Sequence, residues 1–178
     1  GYADGLARQG KIDDARKLAM VQGKPEERLR ARVAVAAVVV QSKPNDLADL
    51  EWCLKLLDGE LKNQPVAPWL VLRLAELAAR AENADLAGKF AAKIADPGLR
   101  AWAQLEGLRA KLKSQTGQAG VVDLAKEVGG PDRLAHWLAW TELARHNAGA
   151  GAGASEVGQW ESDAQRAFGY AGVALAER

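Results

Sequence analysis

The chain has 178 residues, of which 48% are hydrophobic and 6% aromatic, and six of the ten aromatic residues are tryptophan. Its 24 basic and 23 acidic residues give a net charge of +1, which argues against a nucleic-acid-binding domain that works through bulk positive charge. A single cysteine, Cys53, excludes an internal disulfide framework and a cysteine-rich metal site. Cys53 lies in an apolar run, which predicts a buried, inert thiol.

Membrane-spanning segments are not predicted. The longest apolar run, residues 33–40, is eight residues long, whereas a spanning helix needs about 20. The sequence begins at Gly1 with neither an initiator methionine nor a signal-peptide pattern, which indicates a piece of a longer protein.

Helical patterns follow one another along the whole chain. Apolar residues recur at helical spacing, glycines such as Gly10 and Gly23 stand where helices end, and prolines stand in first turns. The run 33–40 has high β-propensity, but it continues an arginine-rich turn without a breaker, so we predict a helix buried on two sides. The ten predicted helices span about residues 1–9, 12–22, 25–41, 46–62, 68–81, 84–95, 97–116, 118–128, 131–147 and 155–177.

Caps and loops are predicted from short polar and small residues. Asn45 or Asp46 is expected to cap the fourth helix, and Ser155 is expected to cap the tenth. Residues 148–155 alternate alanine and glycine, which predicts a flexible loop before the last helix.

A proline-led helix start recurs along the chain. Pro25 and Pro97 are 72 residues apart, Pro131 follows after 34, and Pro65 lies in a looser copy between the first two. A shift of 72 residues also aligns identical residues elsewhere, such as Arg28 with Arg100. A period of about 34 to 40 residues with two helices per unit is typical of a helical solenoid.

The first helical pair carries a family resemblance. Residues 10–15, Gly-Lys-Ile-Asp-Asp-Ala, follow Tyr2, Ala3 and Leu6 and resemble the helix–turn–helix of a tetratricopeptide repeat. The resemblance implies an all-α fold, in which residues 1–178 form one α-solenoid domain of about five antiparallel helix pairs in a right-handed stack. The Asp-Pro-x-x-Arg-Ala helix start also resembles divergent bacterial solenoids, some from membrane-coat-like proteins in which a propeller precedes the solenoid.

Catalytic and metal-binding motifs are not found in the sequence. His136 and His146 are ten residues apart on one predicted helix, or about 15 Å, so they cannot share a metal ion. Residues 149–155 look like a phosphate loop but lack the following lysine and the preceding strand. We therefore predict no catalytic residue, no cofactor and no metal.

Tryptophans recur about once per helix pair and allow two interpretations. They either fill the space between successive pairs or line a concave groove for an extended peptide or helix. Trp69 and Trp160 are expected to be the most exposed, and with Phe168 and Tyr170 on the last helix they are the candidate partner-binding residues. The last helix either caps the stack or exposes an apolar stripe through which the terminal helices form a homo-oligomer.

Two basic clusters form a candidate surface for lipid headgroups or an acidic partner. Their alternative is an ordinary solvated helix face. The residues are Arg28, Arg32, Arg109, Lys111 and Lys113.

The predicted function is non-catalytic protein–protein interaction or scaffolding, with a protein or peptide partner and no nucleic acid. One alternative is a peripheral membrane-coat element, which contacts the membrane surface. The other is an accessory domain of a larger enzyme whose active site forms with another part of the parent chain.

Overall fold

The computed structural model describes residues 2–21, 23–114, 125–129, 133–151, 154–160 and 162–177. Every regular element in these ranges is a helix and none is a strand, which confirms the predicted all-α class. Residues 125–127 are also helical, and most of the predicted eighth helix and the predicted start at Pro131 lie outside the described residues. The other helices are α1 (Tyr2–Arg8), α2 (Ile12–Met20), α3 (Pro25–Ser42), α4 (Ala48–Asp58), α5 (Pro68–Arg80), α6 (Ala84–Ala91), α7 (Pro97–Ser114), α8 (Arg133–Gly149), α9 (Ala154–Val157) and α10 (Asp163–Ala176).

The valine-rich run is helical, as predicted, and its packing explains its composition. Within α3, Val33 and Val40 belong to a core cluster shared with α4, α5 and α6. Val35 and Val39 belong to a second cluster shared with α1 and α2. Because α3 buries two faces, apolar residues are needed nearly all round the helix, and the local β-propensity is overridden by this packing.

Helix α4 is shorter than predicted. It begins at Ala48 after Leu47, without a side-chain cap, and ends at Asp58 rather than near Lys62. Gly59 follows Asp58, and glycine is a poor helix former, so the helix ends there. Asp46 accepts a hydrogen bond from the Ala48 nitrogen at 3.3 Å, but its carboxylate is also bound by an arginine described below.

The chain between α8 and α10 also differs from the prediction. The expected loop 148–155 is shorter, because α8 continues to Gly149 and a single turn, α9, begins at Ala154. Ser162, not Ser155, caps the last helix: its side chain accepts a hydrogen bond from the Gln165 nitrogen, and the Gln165 side chain accepts one from the Ser162 nitrogen. This reciprocal capping box satisfies two backbone donors and sets the start of α10.

Helices pack mainly against their next and next-but-one neighbours in the chain. Each of α1, α3 and α5 contacts the helix that follows it, and α1, α3, α5, α7 and α8 contact one another in succession. The core is correspondingly divided into clusters that follow one another, and the last of them joins α8, α9 and α10.

Helix bounds repeat at the interval of 72 residues. Helix α3 begins at a proline and ends at a serine after 18 residues, and α7 does the same 72 residues later. The starts of α2 and α6, and the ends of α1 and α5, are also 72 residues apart. Glycine at the end of α1 has the expected left-handed backbone, since φ of Gly10 is +79°.

Candidate functional site

A groove of about 730 Å³ crosses three helices that pack side by side, α5, α7 and α8. Its floor is apolar and is formed by Ala79, Ala110 and Leu112, all of which are buried. Its charged lining comes from the same three helices and carries four cationic side chains, a histidine and two carboxylates. These are Arg80, Arg109, Lys113, Arg145, His146, Glu106 and Glu142, and we call this feature the basic groove.

Both carboxylates of the basic groove form ion pairs with one arginine. Arg109 pairs with Glu106 at 2.6 Å and with Glu142 at 3.0 Å, so that it links α7 to α8. Burial lowers the pKa of Arg109, but the charges of Glu106 and Glu142 and their hydrogen bonds raise it by more, so the pKa lies above its usual value. The triad holds one positive and two negative charges, so its net charge is −1, and the two carboxylates keep Arg109 cationic.

Three cations in the basic groove are left over. Arg80, Lys113 and Arg145 are exposed and make no ion pair with any residue that the structure describes. Each comes from a different helix, near its carboxyl end, where the helix dipole also favours positive charge. The groove therefore combines an apolar floor with one unpaired positive charge from each of its three helices.

Lys113 and Arg109 were predicted as surface cations, but Arg80 and Arg145 were not. Each is a single arginine in its part of the sequence, and no local cluster marks it. The available signal is the position of each cation relative to the end of its helix. This position predicts a shared groove only when it is known that the carboxyl ends of α5, α7 and α8 lie side by side.

The other predicted surface cations do not join this groove. The prediction that Arg32 is a surface residue is wrong, because only 6% of it is exposed. Arg28 is half-buried on α3 and pairs with Glu60. Lys111 is half-buried and lines two smaller cavities, of about 350 and 340 Å³, beside the loop that precedes α6 and along α6 and α7.

Arg32 is buried because it belongs to a charged network between α2, α3 and α4. Its Nε faces Asp49 Oδ1, its Nη1 donates to the Arg16 carbonyl oxygen at 3.3 Å, and its guanidinium lies 5.0 Å from the Trp52 ring centroid. Arg16 reaches the other oxygen of Asp49 at 2.8 Å and Asp46 at 2.9 Å. Asp49 is 1% exposed, so its charge is held by the two arginines.

The network predicts an acid-dependent part of the stability. Burial raises the pKa of Asp46, but hydrogen bonds from Arg16 and the Ala48 nitrogen, with the charge of Arg16, hold it below its ordinary value of 3.8. A pKa that is lower in the folded state gives stability that is present above about pH 4 and is lost as the pH falls through the lowered pKa. We expect Asp46→Asn to cost more stability at pH 6 than at pH 3 in urea unfolding. An equal cost at both pH values would contradict this.

Trp69 is exposed, as predicted. Its side chain is 56% exposed at the start of α5, and the guanidinium of Arg30 lies 6.0 Å from its ring centroid. Arg30 also pairs with Glu26 at 2.8 Å. Trp69 lines none of the three cavities described above, so its role as a partner contact stays a prediction.

The remaining tryptophans are buried or half-buried, so the prediction that Trp160 is exposed is wrong. Trp160 contacts Trp140, with ring centroids 4.8 Å apart, and Phe168 stacks on Trp137 at 5.7 Å. Trp160 and Phe168, two of the candidate partner-binding residues, thus pack against α8. The remaining one, Tyr170 on α10, is 45% exposed. Five of the six tryptophans fit the gap-filling interpretation better than the groove-lining one.

The histidines differ in their surroundings. His136 Nδ1 lies 2.7 Å from the Val128 carbonyl oxygen, and its Nε2 accepts a hydrogen bond from the Trp140 indole at 3.2 Å. Both contacts are satisfied by the neutral ring with its proton on Nδ1. His146 lines the basic groove, and Glu142, which lies one turn before it on the same helix, pairs with Arg109.

Metal-binding clusters and membrane spans are absent from the described residues. No group of three histidine, cysteine, aspartate or glutamate side chains within them could hold a metal ion. None of the described helices is long and apolar enough to cross a bilayer. Cys53 is fully buried, as predicted, and burial raises its thiol pKa.

Comparison of the chain with models of protein families, with curated proteins and with solved structures finds no match.

The terminal helices expose apolar side chains. Tyr2 on α1 is 87% exposed, Val21 after α2 is 75% exposed, and Leu175 on α10 is 48% exposed. These residues are scattered at the two ends of the chain, and the predicted homo-oligomer through the terminal helices stays a prediction.

Proposed function

We propose that this chain is a non-catalytic protein-interaction or scaffolding module, built as a tetratricopeptide-like α-solenoid of about five antiparallel helix pairs. Support for the architecture comes from the succession of contacts among α1, α3, α5, α7 and α8, and from helix bounds that repeat after 72 residues. In a solenoid, each unit contacts its neighbours, and the helices of one layer form an extended surface for binding.

The basic groove is the observation that carries the proposal. It is formed by three successive helices of one layer, its floor is apolar, and three of its cations have no ion-pair partner among the described residues. An apolar floor with a few convergent polar groups is the usual character of a binding site. Because no single helix could form this groove, its binding surface depends on the stacking of the repeats.

Selection from a displayed library of random peptides tests this function directly. We expect the folded chain to enrich peptides that share a motif, and we expect the same peptides to bind the chain in solution by fluorescence anisotropy. A library of equal size displayed against an unrelated helical protein is the control. Failure to enrich any motif after several rounds would contradict a peptide-binding module.

A peripheral membrane-coat element is the second candidate, because the unpaired cations of the basic groove would also suit anionic lipid headgroups. Flotation with vesicles of neutral lipid alone and with added phosphatidylserine, at low and moderate salt, separates the two functions. Flotation that requires the anionic lipid and weakens with salt supports the coat element. Peptide enrichment without flotation supports the interaction module.

A further inference from the structure

We infer that the basic groove takes an extended acidic segment of a partner protein, with carboxylates at every third residue. This inference rests on the proposed function and identifies the chemistry of the ligand. Arg80, Lys113 and Arg145 supply one unpaired cation each, from α5, α7 and α8. The triad of Arg109, Glu106 and Glu142 has a net charge of −1, so with the three unpaired cations the groove keeps a net charge of +2 for an anionic ligand.

The spacing of the cations follows from helix packing. Helix α7 contacts both α5 and α8, and packed helices lie about 8 to 10 Å apart. The helices that carry Arg80, Lys113 and Arg145 are therefore about 10 Å apart from one to the next, or about 20 Å in total. A ligand that meets all three has to place negative charges at this interval along the direction of the stack.

An extended segment meets this requirement better than a helix does. In the polyproline II conformation, three residues complete one turn and advance about 9 Å, so side chains at every third residue lie on one side at the required spacing. A helix places side chains on one side at about this interval only every seven residues, so a helical ligand would need about fifteen residues and a width of about 10 Å, whereas an extended segment is narrower and needs about seven. Seven extended residues span the three cations.

The floor of the groove indicates which residues of the ligand lie between its carboxylates. Ala79, Ala110 and Leu112 present a small apolar surface, which suits alanine or proline side chains at those positions. Burying apolar side chains there excludes water from the neighbouring ion pairs and strengthens them. A membrane surface, in contrast, does not need a groove of this shape, so the geometry favours a peptide.

Synthetic peptides test the inference. The first, Glu-Pro-Ala-Glu-Pro-Ala-Glu, has the proposed spacing; the second has the same composition with the three glutamates adjacent; the third has glutamine in place of glutamate. We expect fluorescence anisotropy to show at least fivefold tighter binding of the first peptide than of the second, and no binding of the third. Equal Kd values for the first two peptides would overturn the inference, because binding would then depend on charge alone.

Matched variants locate the site. The variant Arg80→Gln, Lys113→Gln, Arg145→Gln is expected to weaken binding of the first peptide at least tenfold. The control variant changes the net charge equally through three exposed lysines outside the groove, as Lys17→Gln, Lys62→Gln, Lys89→Gln, and is expected to bind within twofold of wild type. All six side chains are exposed, and circular dichroism and thermal unfolding verify that both variants fold. Equal weakening by both variants would overturn the inference.

Two further outcomes separate this inference from the function on which it rests. If none of the three peptides binds at 1 mM while the displayed library yields another motif, the acidic ligand is wrong and the interaction module stands. If phosphatidylserine vesicles float the chain and the groove variant abolishes flotation, while the first peptide does not bind, the groove is a lipid contact and the inference is overturned. Enrichment of acidic residues at every third position by the library would support it independently.

Discussion

Replacing Gly172 with alanine is expected to destabilise the protein by about 3 kcal/mol. The added Cβ would lie 3.0 Å from both the Ala144 Cβ and the Arg145 nitrogen, and closer still to the carbonyl oxygen of Thr141. The last two of these are backbone atoms of α8, so α10 has to move away from α8 to relieve the overlap. The same movement would lengthen the 3.2 Å hydrogen bond from Thr141 Oγ1 to the Phe168 carbonyl oxygen and part the stacked rings of Trp137 and Phe168.

Urea unfolding followed by circular dichroism and tryptophan fluorescence measures this effect. Gly88→Ala is the matched control, because Gly88 lies within helix α6 and an added Cβ meets nothing within 4 Å. There alanine is expected to stabilise by about 0.5 to 1 kcal/mol through its higher helix propensity. At Gly169 the added Cβ would meet side chains, 2.5 Å from Trp160 and 2.6 Å from Val157, which have more freedom to shift. Wild-type stability of Gly172→Ala would show that α10 does not cross α8 as closely as described.

Replacing Asp49 with asparagine is expected to cost about 3 to 5 kcal/mol, the range found when one partner of a buried ion pair is removed. Asp49 pairs with both Arg16 and Arg32, and it is 1% exposed while Arg32 is 6% exposed. Asparagine keeps the shape of the side chain but leaves Arg32 as a buried cation without its counter-charge. The stacking of Arg32 on Trp52 cannot replace that charge.

Urea unfolding at neutral pH checks this prediction against an exposed carboxylate near the same arginine. Asp13 lies 3.9 Å from Arg16, and its side chain is 88% exposed. Asp13→Asn is therefore expected to change the free energy of unfolding by less than about 0.5 kcal/mol. A double variant, Asp49→Asn with Arg32→Met, is expected to lose less than the sum of its single losses, since the two side chains interact directly. If the losses in the free energy of unfolding were additive, the interaction between Asp49 and Arg32 would contribute nothing to stability.

Secondary structure was largely determined by the sequence, because it depends on local spacing. Proline at the start of α3 and α7 and glycine after α1 mark helix ends through the backbone conformations that these residues favour. Apolar residues at helical spacing identify the buried faces, so Leu86 and Phe90 on α6 are both buried as their spacing indicates, although α6 ends at Ala91 and not near residue 95 as predicted. The predicted helix ends are less accurate where several nearby residues could serve as the N-cap, as at α4 and α10. Several serines and aspartates there offer similar local hydrogen bonds, and packing selects among them.

The partners of the charges were decided only by the tertiary structure. Arg28, Arg32 and Arg109 are all arginines on amphipathic or apolar helices in the sequence, yet the first pairs at a surface, the second is buried, and the third bridges two helices. Their partners outside their own helices lie 17 to 33 residues away along the chain, as for Arg32 with Asp49 and Arg109 with Glu142. Local spacing carries no information about such contacts. Likewise, the basic groove exists only because α5, α7 and α8 stack side by side, since each helix contributes one unpaired cation and no stretch of sequence contains all three.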